Sequence, residues 1–153
     1  MKACVLCVSA LLGWGCGSSS SGGPVSAAWL GTFSADVTQV ETCSGEQHTD
    51  TLTGSITIGT GSTGGTIVTQ PSDDCDLTWT VNGTSAAIVS GTTCPTVPGS
   101  VGGTWTPTFN SGSLSLSGTT GSTSISINDS GTAVYVNGTT QTCTFTQSGT
   151  FTK

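Results

Sequence analysis

Four kinds of side chain in this sequence could do chemistry: cysteines able to bridge, acids able to hold a cation, one histidine beside an acid, and tryptophans able to line a pocket. Cys43, Cys75, Cys94 and Cys143 lie in the body of the chain. No two of them are separated by only two residues, and His48 is the single imidazole, so a zinc site is a poor fit. An even set in an exported chain predicts two disulfides, with three possible connectivities. Asp73-Asp74-Cys75-Asp76 could offer oxygens to calcium. It lacks the glycine turn, the alternating ligands and the closing glutamate of a calcium loop, and is read as a hydrated acidic loop with no metal. His48-Thr49-Asp50 can be written as part of a triad, yet no Gly-x-Ser-x-Gly elbow accompanies it. Paired carboxylates for glycoside hydrolysis need one acid in an apolar pocket, and the acids here gather at turns. The expectation is therefore no catalytic residue and no cofactor. Trp29, Trp79 and Trp105 are the candidates to line a cavity for an apolar ligand or to stack on sugars; plain core packing is the competing role.

Strands must position these residues. Hydrophobic side chains recur with period two between clusters of Gly, Ser, Asn and Pro, the pattern of half-buried strands. Trp29, Gly31, Phe33, Ala35 and Val37 share one face, with Thr32, Ser34, Asp36 and Thr38 on the other. Asn82-Gly83 predicts a type I′ hairpin that sets Val81 opposite Thr84 and Trp79 opposite Ala86. Val101, Trp105 and Phe109 mark a later strand that Pro107 pushes toward an edge or a bulge. Asn128-Asp129-Ser130-Gly131 is expected to turn the chain so that Ile125 faces Val134. Asn137-Gly138 is expected to turn it again and set Val136 against Thr139, with Cys143, Phe145 and Phe151 inward on the last strand. Asn82, Asn128 and Asn137 each open an Asn-x-Ser/Thr triplet, and all three are read as turns rather than glycan acceptors.

The N-terminus reads as an export signal: Lys2, then an apolar run from Ala3 to Trp14 too short to span a bilayer. Its end, Leu11-Leu12-Gly13-Trp14-Gly15-Cys16, resembles the lipobox of bacterial lipoproteins, with Leu12 one position further from the cysteine than in the family. The resemblance implies cleavage after residue 15, acylation of Cys16 and anchorage in the bilayer of the bacterial cell envelope, at the outer membrane; plain secretion is the alternative. Residues 16–26, rich in Ser and Gly, form a flexible tether, and residues 27–153 a single domain. With Lys2 removed, eight acids face Lys153 alone. Such a surface repels phosphate backbones, which excludes nucleic acid as a partner.

The fold class that follows is all-β. About ten short antiparallel strands, with hardly any lysine to guard exposed edges, are expected to close into an up-and-down barrel, with a sandwich as the alternative. Trp29-x-Gly31-x-Phe33 is similar to the opening strand of lipocalin-like barrels, although that family's C-terminal helix has no counterpart; the likeness implies a carrier of small apolar ligands. Strand counting puts all four body cysteines at the end remote from the tether, together with Glu41, Glu46, His48, Asp50, Asp73, Asp74 and Asp76. Closure sets the first strand against the last, which favours Cys43 with Cys143 and leaves Cys75 with Cys94. The functional expectation is a non-catalytic, lipid-anchored envelope protein with a binding or structural role, the alternatives being a lipocalin-like carrier and an adhesin-type sandwich.

Overall fold

The computed structural model describes residues 24–72, 75–99, 102–119 and 122–153. The expected signal, Cys16, most of the expected tether, Asp73, Asp74 and Val101 lie outside the described residues. One turn of 3-10 helix, Ala27–Trp29, precedes ten strands. These are β1 (Gly31–Cys43), β2 (Glu46–Thr60), β3 (Thr66–Ser72), β4 (Cys75–Asn82), β5 (Ser85–Ile88), β6 (Thr92–Thr93), β7 (Val97–Pro98), β8 (Thr104–Thr119), β9 (Ser122–Asn137) and β10 (Thr139–Thr152).

Every described strand pairing is antiparallel. β1 joins β10 and β5 joins β8, so β1 to β5 and β8 to β10 close a ring of eight strands. β5, β6 and β7 all run along one edge of β8, at Ser113–Ser115, Thr108–Phe109 and Thr104–Trp105 respectively. They act as one interrupted strand, and the path of the chain is an up-and-down meander. Pro107 explains the interruption. Its carbonyl accepts from the Cys94 backbone N–H at 2.9 Å, so its missing N–H falls on the same side, where the neighbouring strand is broken.

Five strands exceed twelve residues, longer than the short strands expected, and two of them, β8 and β9, each run through a segment expected to turn. Asn128-Asp129-Ser130-Gly131 is the sharpest departure. It lies inside β9, with Asp129 opposite Gln147 on one side and Gly112 on the other. Turn-forming composition yields here because β10 pairs with the segment continuously and β8 pairs with it across a single bulge at Asn110. Gly131 serves space rather than a turn: a Cβ there would lie 2.6 Å from the Phe145 ring. Val134 and Val136 consequently face outward, while Ala133 and Tyr135 point in. The following turn centres on Gly138, with Val136 opposite Thr140. At the other hairpin, Gly83 (φ +62°) opens a two-residue Gly83-Thr84 turn, so Val81 pairs with Ala86 and Trp79 with Ile88. A positive φ at only the first central residue is the pattern of a type II′ turn, and the shift by two keeps every side chain on its expected face.

The core fills the tether-side half. Trp29 closes that end, its indole N–H donating to the Gly83 carbonyl at 3.1 Å. Phe33, Ile56, Ile58, Ile67, Leu77, Trp79, Leu114, Ile125 and Phe151 pack above it. Burial of each large apolar side chain is worth about 1.5–3 kcal/mol. Hydroxyls pair across the outer surface, as in Thr93–Thr108 at 2.8 Å and Thr96–Thr106 at 2.7 Å, taking the place that charge pairs hold in most sheets.

Candidate functional site

Successive inward rows run around the wall. One row is apolar: Leu52, Val37, Gly149, Ile127, Leu114 and Ala86 on adjacent strands. The next is polar: Asp50, Gln39, Gln147, Asp129 and Gly112. Above it lie His48, Glu41, Phe145, Gly131 and Phe109, and beyond these Trp105 and Tyr135. Period-two alternation thus stacks an apolar floor, a polar belt and an aromatic wall inside one ring.

The distal half is not closed. Among the described residues, the β2–β3 ladder covers only Ile58–Thr60 against Ile67–Thr69, and β2 from Glu46 to Thr57 has β1 as its sole partner. The ring itself closes, as the sequence predicts, through β1–β10 and β5–β8, and it flares at this end. Along this free edge His48 and Asp50 put charge on the inward face, which blunts edge-to-edge association. The flare opens a cavity of about 760 Å³ at the end remote from Trp29. One wall is aromatic: Phe109 and Phe145 meet edge to face at 5.1 Å, and Trp105 lies 6.2 Å from Phe145 and 6.4 Å from Tyr135. Tyr135 Oη donates to the Gly102 carbonyl at 2.7 Å, which holds the ring at the rim.

The adjoining wall is polar: Glu41 on β1 pairs directly with Phe145, and β2 lies across the ring from β8. Gln39 Nε2 donates to Glu41, Gln147 Nε2 donates to Gln39, and His48 Nε2 lies 3.0 Å from Asp50 Oδ1. Burial raises the Glu41 carboxyl above its ordinary value; the Gln39 hydrogen bond and His48 pull it back, and Asp50 pushes it further up. His48 and Asp50 share a strand face, and among the described residues no hydroxyl or thiol is hydrogen-bonded to the imidazole.

The three tryptophans separate. Trp29 and Trp79 are fully buried core, Trp79 donating to Thr69 Oγ1 at 2.9 Å, whereas half-buried Trp105 lines the cavity. Cys43 and Cys143 are joined with Cα atoms 4.4 Å apart, as are Cys75 and Cys94 at 5.0 Å, and Cys43 and Cys94 border the cavity. Asp76 accepts from Gln70 Nε2 at 2.7 Å. Among the described residues no three His, Cys, Asp or Glu side chains converge as metal ligands.

Asp129 is the residue that turn-based reasoning missed. It is 2 % exposed, and neither carboxylate oxygen has a hydrogen-bond partner among the described residues. Burial pushes its carboxyl up to about 7. The odd-numbered alternation Ile125, Ile127, Asp129, Gly131, Ala133 is the signal that finds it. Comparison of the chain with protein-family models, with curated proteins and with solved structures returns no significant match, so the site is interpreted from its own geometry.

Proposed function

We propose that this protein is a non-catalytic binding module of the bacterial cell envelope, tethered through acylated Cys16, that holds a small amphipathic ligand in its distal mouth. The observation that carries the reading is the cavity of about 760 Å³, with Trp105, Tyr135, Phe109 and Phe145 facing Gln39, Glu41, His48 and Asp50. Its volume falls within the range of about 300–1,000 Å³ typical of small-molecule sites. An apolar body would lie on the aromatic wall while polar groups meet the amides and acids of the adjoining wall. The mouth sits at the end opposite Trp29, where the tether enters, so an anchored protein would present it away from the bilayer. The export signal and the lipobox resemblance support the anchored location.

The test is fluorescence titration with N-phenyl-1-naphthylamine, a neutral apolar probe that brightens on leaving water. Saturable uptake that weakens at least about tenfold in Trp105→Ala supports the reading, since an anchoring aromatic is worth over 1 kcal/mol. No uptake, or uptake indifferent to Trp105, counts against it.

A further inference from the structure

A second, smaller cavity of about 150 Å³ lies below the mouth, lined by residues of β1, β2, β3, β4, β9 and β10. Its outer rim is Gly54, Ser55 and Gln70, at the gap where the β2–β3 ladder lapses; its walls include Ala35, Val37, Leu77 and Phe151. At its inner end are Asp129 and the Gln147 amide. The Asp129 side chain is packed against Gly112, where a Cβ would lie 2.8 Å from Asp129 Cβ and 3.2 Å from the Trp79 ring. Gly112 therefore gives this carboxylate its place.

A buried carboxylate without partners is expensive, and proteins ordinarily neutralise one with a basic side chain or several donors. This chain supplies neither. Among the described residues the one Lys or Arg is Lys153, engaged by the Leu30 carbonyl and lying 4.4 Å over the Phe33 ring, on the tether side. The other titratable groups turned toward the cavities are Glu41 on β1, Glu46, His48 and Asp50 on β2, and Tyr135 at the rim. β3, β8 and β10 bring no free titratable side chain, and on β4 Asp76 is exposed and Cys75 bridged. Below about pH 7 a proton neutralises Asp129; above that, no described residue supplies a positive charge, and a cation from outside can.

We propose that this slot is a binding site for a small alkylamine, whose ammonium group pairs with Asp129 and accepts support from the Gln147 side-chain oxygen while its alkyl part lies against Ala35, Val37 and Leu77. A volume of about 150 Å³, below the roughly 300 Å³ at which ordinary small-molecule sites begin, suits a ligand of few heavy atoms. Apolar walls around a single carboxylate suit an organic cation rather than a bare metal ion, which needs six or more oxygens in the case of calcium. The site is distinct from the mouth, and the proposal does not depend on what binds there.

The experiment is calorimetric titration of the full chain, disulfides intact and in non-ionic detergent, with n-butylammonium chloride at about pH 8, where an Asp129 carboxyl of pKa about 7 is ionised. 1-Butanol and potassium chloride serve as the neutral and inorganic counterparts. Saturable one-site binding, at least about tenfold weaker for Asp129→Asn and for butanol, is expected from the loss of a charge-assisted contact. Ala35→Leu, which fills the slot without touching the carboxylate, should abolish binding, and decides the matter if Asp129→Asn does not fold. No saturable heat at millimolar amine, equal binding by both variants, or equal competition by potassium would overturn the proposal.

Discussion

Replacement of Asp129 by Asn should make the protein more stable above neutral pH and flatten its pH dependence. The carboxyl moves from an ordinary 3.8 to about 7 through burial alone. Between about pH 4 and 7 the folded chain keeps a proton that the unfolded chain has released. Folding then takes up a proton, so stability falls as pH rises through that window and stays low above it. About three pH units at 1.36 kcal/mol each amounts to roughly 4 kcal/mol. An Asn amide in the same place leaves its own polar atoms short of partners, at about 1–3 kcal/mol at every pH. The protonated acid bears a similar burden, so the two proteins should match near pH 4 and diverge by about 2–4 kcal/mol at pH 8. Guanidinium denaturation followed by tryptophan fluorescence, at intervals from about pH 4 to 9 with disulfides intact, measures the difference. Glu41, also raised by burial, titrates in both proteins and cancels. Parallel stability curves for wild type and variant would refute the reasoning.

Three further predictions concern the frame. Mass mapping of non-reduced peptides should link Cys43 to Cys143 and Cys75 to Cys94; the first closes a loop of about 100 residues, and its removal as Cys43→Ser with Cys143→Ser should cost about 2–5 kcal/mol in chemical denaturation. Gly131→Ala should destabilise by about 1–3 kcal/mol in the same assay, because the added methyl meets the Phe145 ring and the Thr108 carbonyl. Cys16→Ser should abolish incorporation of labelled palmitate in growing cells and release the protein from membrane fractions; membrane retention of the unlabelled variant would argue for another anchor.

Much of the fold was legible because alternation and burial speak the same language. Phe33, Ala35 and Val37 on β1 and Cys143, Phe145 and Phe151 on β10 point inward as period two requires, and the chain's order alone places strand neighbours side by side. Legibility failed where local composition contradicted the alternation. Asn128-Asp129-Ser130-Gly131 has the makeup of a turn, and its pairing with β10 on one side and with β8, across a bulge at Asn110, on the other holds it extended. A one-residue slip followed, since Thr and Ser on both faces define register weakly, and it turns over the side chains from there to the Gly138 turn, where Val136 opposite Thr140 restores the faces of β10. That slip hid Asp129 and sent Val134 and Val136 inward on paper. The mouth was hidden for another reason. Closure of the ring follows from the shortage of lysine to guard open edges, but nothing in the alternation shows that, among the described residues, the β2–β3 ladder spans only Ile58–Thr60.

The account stands or falls on whether the hollow distal mouth, rather than the packed half, takes up a ligand. Two-dimensional NMR of the nitrogen-labelled chain during titration with N-phenyl-1-naphthylamine reads this residue by residue. The Trp105 indole N–H and amides around Phe145, Glu41 and His48 should shift together and saturate, while the Trp29 and Trp79 indoles, held by Gly83 and Thr69, stay in place. Shifts of the Trp29 or Trp79 indole with Trp105 unmoved would contradict it.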